Sequence, residues 1–200
     1  MLKLQLTRSD SYDDEYLELP ATPADVSEVL SWLDETGSDV ASTRIVGAIS
    51  DVWNIGRYLK TADVCNPEQI KKLNQIAEIV NSLENREQCL IFEGALDAES
   101  VNNLDDVIAI GKRLENYIRV PEVTNDRELG TYLVEYGVKS FDESVLPYLH
   151  YGKIGSEYYA DHGGAYISCG YVLRRDSAEQ SLLDSIQLNN AQELTGMNMG

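Results

Sequence analysis

The chain has 200 residues, of which 34 are acidic and 16 are basic, so its formal net charge at pH 7 is −18. A hydrophobic content of 43% is enough for a buried core, which argues against a wholly disordered chain. A strongly negative surface repels nucleic acid and anionic membranes and attracts basic surfaces. Direct binding to nucleic acid or to a membrane is therefore not expected.

Targeting and redox signals are sparse. The N-terminus has neither the long apolar run nor the small-residue cleavage site of a signal peptide, and no stretch approaches membrane-spanning length. Cys65, Cys89 and Cys169 are odd in number and form no CxxC pair, which favours reduced thiols over a disulfide framework. These features predict a cytoplasmic protein.

The first 64 residues predict a small α+β unit with a short antiparallel sheet. Leu2, Leu4 and Leu6 alternate with polar residues, which is typical of a strand with one buried face. A second strand is predicted over 16–19 and a third over 44–50. Between them, Thr22 followed by proline and, three residues on, a carboxylate predicts the start of a helix.

Residues 65–112 predict a middle helical unit. Asn66 precedes Pro67 and Glu68, a typical helix start. Apolar residues then recur at spacings of three and four over about four turns. They are Ile70, Leu73, Ile76, Ala77, Val80 and Leu83. Two further helical runs are predicted over 86–96 and 100–110.

Residues 113–175 predict a C-terminal α+β unit. A strand is expected over 116–120, followed by a helix capped by Asp126. The stretch 145–172 holds six of the twelve tyrosines and five glycines. Its first part predicts one or two short helices broken at glycine, and its second part, after Gly163 and Gly164, predicts a hairpin.

The segment 176–200 is an acidic tail without a basic residue, and we expect a weakly ordered appendage there, in which Leu182, Leu183 and Ile186 could form one or two amphipathic turns. Helices and strands are segregated along the chain rather than alternating, which predicts the α+β fold class.

The C-terminal sequence resembles a known family. The stretch 145–172, with its LPY and YG elements, its GG pair before an aromatic strand and its closing GYV, resembles the C-terminal signature of the ArdA antirestriction proteins. The upstream RELGTYLVEYG and LNQIAEIVNSL segments resemble the helix before that signature and the family's middle segment. The similarity covers most of residues 1–175.

This resemblance implies an elongated chain of three small units and a homodimer formed through the C-terminal unit. It also implies a DNA mimic that inhibits type I restriction-modification enzymes by occupying the groove of their DNA-binding subunits. The signature positions expected to support folding or dimer assembly are Tyr148, Tyr151, Gly152, Gly155, Tyr158 and Tyr159.

Adjacent carboxylates are the predicted target-binding groups. Side chains on one helix face recur every three or four residues, so carboxylates can form a charged line that a DNA-binding groove accepts. The candidates are Asp13, Asp14, Glu15, Asp34, Glu35, Asp105, Asp106, Asp142 and Glu143. Most single carboxylate pairs simply form a solvated surface.

The signature departs from the family at one point. His150 and Lys153 stand where the family has an acidic pair, and residues 113–175 hold nine acidic against seven basic side chains, the least acidic part of the chain. An alternative role is therefore an acidic ArdA-fold interaction protein that binds another DNA-binding protein of the host or of a mobile element.

An enzyme is the third possibility. His150, His162, Asp161 and Cys169 could supply a Cys–His pair or a metal site. No HExxH, CxxC, nucleophile elbow or dinucleotide fingerprint accompanies them. We therefore predict no catalytic, cofactor-binding or metal-binding residue.

Overall fold

The computed structural model describes residues 1–8, 14–34 and 43–197. In these ranges the chain forms eight α-helices and two three-stranded antiparallel sheets, which confirms the predicted α+β class. The chain divides into two compact units. Unit 1 comprises Met1–Leu96 with Ser100–Leu114, and unit 2 comprises Asp97–Glu99 with Glu115–Gly200.

Unit 1 combines the N-terminal sheet with the helices that follow it in sequence. Its elements are β1 (Leu2–Arg8), β2 (Asp14–Leu19), α1 (Pro23–Asp34), β3 (Thr43–Ser50), α2 (Gly56–Leu59), α3 (Pro67–Ser82), most of α4 (Arg86–Ala98) and α5 (Leu104–Gly111). The sheet order is β2-β1-β3, with both pairings antiparallel. Leu2, Leu4 and Leu6 are at most 1% exposed, so the predicted buried face of β1 is confirmed.

The helix starts predicted in unit 1 are confirmed by their hydrogen bonds. The amide of Thr22 donates to the Asp25 carboxylate (2.7 Å) and the amide of Asp25 donates to the Thr22 hydroxyl (3.3 Å), a reciprocal cap. The Asn66 side chain accepts from the amide of Glu68 (3.0 Å). Each bond satisfies an amide that the first helical turn leaves without a partner.

The apolar stripe of α3 lies in the core of unit 1. Ile70, Leu73, Ile76, Ala77 and Val80 are all buried. Leu83, just past the helix end, is half-buried.

Helix α3 is also bonded to the chain that leaves the N-terminal sheet. The amide of Ala21 donates to the Asn74 side chain, and the Asn74 amide group donates back to the carbonyl of Ala21, both at 2.8 Å. The N-terminal sheet and α3 therefore belong to one compact unit. The division of the whole chain into 1–64, 65–112, 113–175 and 176–200 stays a prediction, as does an elongated shape.

Unit 2 has a second sheet with helices beside it. Its elements are β4 (Tyr117–Pro121), α6 (Asp126–Glu135), α7 (Tyr151–His162), β5 (Ala165–Ile167), β6 (Gly170–Arg174) and α8 (Gln180–Met197). The sheet order is β4-β6-β5. The predicted hairpin is confirmed, because β5 and β6 pair on either side of Ser168 and Cys169, and Gly163 and Gly164 have φ of 69° and 112°.

The prediction that glycine breaks the helix of the signature is wrong. A short 3-10 turn covers Leu146–Tyr148, and α7 then runs without a break through Gly152 and Gly155. The interruption falls at Leu149 and His150 instead. Packing explains the difference, because Gly155 serves the contact between α7 and α6.

Helices α6 and α7 approach each other backbone to backbone. A methyl group at Gly155 would overlap the carbonyl oxygen of Asp126, and one at Gly130 would overlap the carbonyl oxygen of Tyr151. Only glycine allows such an approach. Helix α7 thus continues through Gly155, although glycine in a helix interior costs roughly 1 kcal/mol relative to alanine.

Two other expectations for unit 2 need correction. Asn125, not Asp126, caps α6, since its side chain accepts from the amide of Glu128 (3.1 Å). The tail is not an appendage at its start, because α8 begins at Gln180 and inserts Leu182 (0% exposed) and Ile186 (9% exposed) into the unit 2 core. Among the described residues no helix is both long and apolar enough to cross a membrane.

Candidate target-binding surface

The carboxylates predicted near the N-terminus lie partly on β2. Asp14 is exposed, and its carboxylate accepts from the Gln5 amide group at 2.6 Å across the strand pair. Glu15 is half-buried and stands opposite Leu6. Asp13 and Glu35 lie outside the described residues, as does the side chain of Asp34, whose backbone ends α1.

Asp105 and Asp106 form the first turn of α5. The Asn103 side chain caps this helix by accepting from both of their amides, at 2.8 and 3.1 Å. The Asp105 carboxylate is paired with Lys72 at 2.6 Å, and that of Asp106 accepts from the amide of Asn102 at 2.9 Å. Carboxylates at a helix N-terminus stabilise the helix, so both residues have a structural role beside any role in binding.

Asp142 and Glu143 lie in an exposed turn of unit 2. The Asp142 carboxylate accepts from the hydroxyl and the amide of Ser144, at 2.5 and 2.9 Å. These two bonds lower the pKa of Asp142, so its negative charge persists into acidic solution.

A second set of carboxylates, not predicted from the sequence, lines an acidic groove in unit 2. The groove lies between the chain that leaves β4 and one face of α6. Exposed glutamates Glu122, Glu128 and Glu135 line it together with Arg127. Bonds from the amide and hydroxyl of Thr124 lower the pKa of Glu128, which stays ionised at neutral pH.

Two stacked tyrosine rings form the aromatic part of this groove. The ring centroids of Tyr132 and Tyr136 are 4.4 Å apart. Tyr132 is 7% exposed and its hydroxyl lies 3.2 Å from that of Ser185, whereas Tyr136 is 47% exposed. The signal in the sequence is the spacing of four and seven residues from Glu128 to Tyr132 and Glu135, which places all three on one helix face.

The signature positions have two kinds of environment. Tyr158 is 2% exposed and its ring stacks on His162 at 4.0 Å; burial raises the pKa of Tyr158 to about 12. Gly155 is buried at the helix crossing. Tyr151 and Gly152 are half-buried, and Tyr148 and Tyr159 are 84% and 39% exposed.

Three further rings pack within unit 2. Tyr166 lies between Tyr159 and Tyr171, at centroid distances of 5.4 and 5.1 Å. The Tyr166 hydroxyl donates to the Asp126 carboxylate at 2.8 Å and that of Tyr171 donates to the carbonyl of Gly163. Burial raises the pKa of both tyrosines. These tyrosines therefore join α6, α7 and the hairpin into one core.

The residues considered for catalysis have ordinary structural partners. His162 Nδ1 lies 2.6 Å from the carbonyl of Ser177 and Nε2 lies 3.4 Å from the Glu179 carboxylate, whereas His150 is exposed. The Cys169 thiol is half-buried, 3.5 Å from the Ser168 hydroxyl. In the part of the chain that is described, no three metal-ligating side chains form a cluster.

Comparison with protein-family models gives no match for this chain, and comparison with curated proteins gives none either. An inference about function therefore depends on the net charge, on the acidic groove and on the signature of the C-terminal sequence.

Proposed function

We propose that this chain is a non-enzymatic DNA mimic that resembles the ArdA antirestriction proteins. It acts in the cytoplasm, where it binds the DNA-binding subunits of a type I restriction-modification enzyme in place of DNA. The observation that carries the proposal is the acidic groove along α6, with Glu122, Glu128 and Glu135 at its surface, in a chain of net charge −18.

The spacing of these charges supports the proposal. Glu128 and Glu135 are separated by two turns of helix, a rise of about 10 Å. That is the axial rise of about three phosphates on one strand of a duplex. A basic groove that binds a run of phosphates would thus meet successive carboxylates, and its field would steer the acidic protein to it.

We also infer a homodimer that forms through unit 2. Exposed apolar side chains lie between α6 and the signature and at its start: Phe141, Val145 and Tyr148 are each more than 40% exposed. Aromatic residues of this kind are enriched in protein interfaces.

One observation favours the alternative target, another DNA-binding protein of the host or of a mobile element. Lys153 is exposed and pairs with Glu157 at 3.6 Å, so the signature carries a cation where the ArdA family has an acidic pair. A protein with a different distribution of positive charge would tolerate that cation better than the family's usual target.

The test is inhibition of a purified type I enzyme, measured as ATP-dependent DNA cleavage, together with phage plating on a restricting strain. The wild-type protein should inhibit cleavage and restore plating. Glu122→Gln/Glu135→Gln should raise the inhibitory concentration roughly tenfold, because two rim charges contribute up to about 1 kcal/mol each.

Glu115→Gln/Asp161→Asn is the matched control, since it removes the same charge from exposed positions of unit 2 outside the groove. Its inhibitory concentration should change by less than about twofold, which is within the effect of rim charges outside an interface. Absence of inhibition by the wild type would overturn the proposal. Capture of a host DNA-binding protein without any effect on restriction would support the alternative target.

A further inference from the structure

Unit 1 contains a second groove, whose character is opposite to that of the acidic groove. It has a volume of about 450 Å³ and lies between β3 and the segment that forms α2. Among its lining residues are Val46, Ile49, Trp53, Arg57 and Lys60. We call it the tryptophan groove.

The backbone of β3 and α2 gives this groove its shape. Strand β3 pairs Ile45 with Leu6 and Gly47 with Gln5, so Val46 is the extra residue of a bulge. A bulge re-aims a side chain, which accounts for the exposure of Val46 at a strand on the edge of the described sheet. At Gly56, an added Cβ would lie 2.8 Å from the amide nitrogen of Ala48, so glycine lets α2 approach β3 closely.

The walls are fixed by buried anchors. Val52, Ile55 and Leu59 are at most 1% exposed, and Asn54, between them, has a left-handed φ of 57°. Trp53 therefore projects outward from a segment whose neighbours are packed in the core.

The rim of the groove is apolar and exposed. Val46, Ile49 and Trp53 are 36%, 52% and 67% exposed. Tryptophan is usually well buried, and contiguous exposed apolar side chains mark interaction sites more often than isolated ones do. Exposed tryptophan is also among the residues that contribute most to binding energy in interfaces.

The charged side chains that line the groove are both cationic. They are Arg57 and Lys60, and no carboxylate is among the described residues that line it. The Arg57 guanidinium lies over the ring of Tyr58, 4.7 Å from its centroid, a contact that positions the cation. In a chain with 34 acidic residues, a cationic groove complements an acidic ligand and not a basic one.

We propose that the tryptophan groove binds an acidic segment of a partner protein in which carboxylates and apolar residues alternate. Apolar side chains of the partner pack on Trp53 and Ile49, and its carboxylates pair with Arg57 and Lys60. This inference goes beyond the proposed function, because it uses another surface, in unit 1, and a ligand of the opposite charge.

The apolar rim decides between the two classes of anionic partner. A phosphate backbone is held by cations and amides, and two cations in a chain of net charge −18 are too few to offset the repulsion of a nucleic acid. A short acidic peptide carries fewer charges than a nucleic acid, and its apolar side chains can pack on the rim, which a phosphate backbone cannot do.

Binding can be measured by the fluorescence of Trp53 in a Trp32→Phe background, since the chain has two tryptophans. The probe is a short synthetic peptide that alternates Glu with Val, at physiological salt. A peptide that alternates Lys with Val and an oligothymidine are the comparison ligands. Only the acidic peptide should shift the emission of Trp53.

Charge reversal tests the assignment. Arg57→Glu/Lys60→Glu should lower the affinity for the acidic peptide at least about tenfold, as expected for close charge pairs. The control Lys71→Glu/Lys112→Glu makes the same charge change at exposed positions of unit 1 and should have less than about a twofold effect. For this pair of variants the peptide itself carries a fluorescent label, and circular dichroism checks folding. If Arg57→Glu/Lys60→Glu fails to fold, the single variant Lys60→Gln should still lower the affinity for the labelled peptide about threefold.

Several results would overturn the proposal. These are no binding of the acidic peptide, equal binding of the lysine peptide or of oligothymidine, and an equal loss in both double variants. A dimer that Arg57→Glu/Lys60→Glu converts to monomer would also overturn it, because a second copy of the chain would then occupy the groove. None of these results depends on whether the protein inhibits restriction.

Discussion

The helices of the two units pack in different ways, and the difference shows what a sequence pattern can reveal. Helix α3 of unit 1 packs through side chains, with Leu73 and Ile76 fully buried in an apolar stripe. Helices α6 and α7 of unit 2 pack through their backbones, at Gly130 and Gly155. A stripe of large apolar residues is visible in the sequence, whereas a glycine in a helix looks like a defect until its neighbour is known.

The substitution that should destabilise the protein most is Gly155→Ala, because it breaks the backbone contact in unit 2. In Gly155→Ala the added methyl group meets the Asp126 carbonyl, which cannot rotate away as a side chain could. We expect a loss of about 4 kcal/mol or more in the free energy of unfolding, at the high end for single substitutions. Urea denaturation followed by circular dichroism measures it.

Gly152→Ala is the matched control for this substitution. Gly152 lies in the same helix, and an added Cβ there would have no neighbour within 4 Å. Alanine should therefore stabilise the protein by about 0.5 to 1 kcal/mol through its helix propensity. If Gly155→Ala were as stable as the control, the close contact of α6 and α7 would be wrong.

Much of the fold could be predicted because unit 1 follows simple periodic patterns. The alternation of Leu2, Leu4 and Leu6 and the caps at Thr22 and Asn66 are local signals, and each predicted its element correctly. In unit 2 the hairpin was also predictable, since Gly163 and Gly164 take positive φ before an aromatic strand. The continuity of α7 was not, because it depends on a neighbouring helix.

The tail is a second region whose structure depends on residues far away in the sequence. Leu182, Leu183 and Ile186 allow one or two amphipathic turns, but this spacing is too short to define a whole helix among Ser, Asn and Gln. Their burial depends on the core that Tyr132 and Leu133 complete from far away in sequence. Composition predicted an appendage, and tertiary packing overrode it.

Helix α8 should pack through its side chains, as α3 does. Leu182→Ala removes a fully buried side chain and should cost about 3 kcal/mol of stability, the usual price of a cavity in a packed core. Leu188→Ala, at a position 64% exposed on the same helix, should change stability by less than about 0.5 kcal/mol. Equal midpoints of thermal unfolding for the two variants would contradict the docking of α8.

The candidate binding residues were harder to predict than the fold. Adjacent carboxylates such as Asp105 and Asp106 stand out in a sequence, but both are engaged at the start of α5. The acidic groove combines Glu122, from the chain after β4, with Glu128 and Glu135 on α6. The spacing along α6 places Glu128 and Glu135 on one helix face. The position of Glu122 beside them depends on tertiary structure, because Glu122 follows β4.

An exposed carboxylate that takes part in neither kind of helix packing, such as that of Asp14, should affect stability least. A single change such as Asp14→Asn should be nearly silent in urea denaturation, because one exposed charge contributes about 0 to 1 kcal/mol.

The grouped change of Asp13, Asp14, Asp34 and Glu35 to amides should leave the circular dichroism spectrum unchanged and should slow association with the type I enzyme. The affinity of this grouped variant for the enzyme should fall roughly tenfold and depend less steeply on salt, because removing four negative charges reduces the long-range attraction. Unchanged affinity and salt dependence in a folded variant would mean that these residues lie outside the contact, and the alternative target would then be favoured.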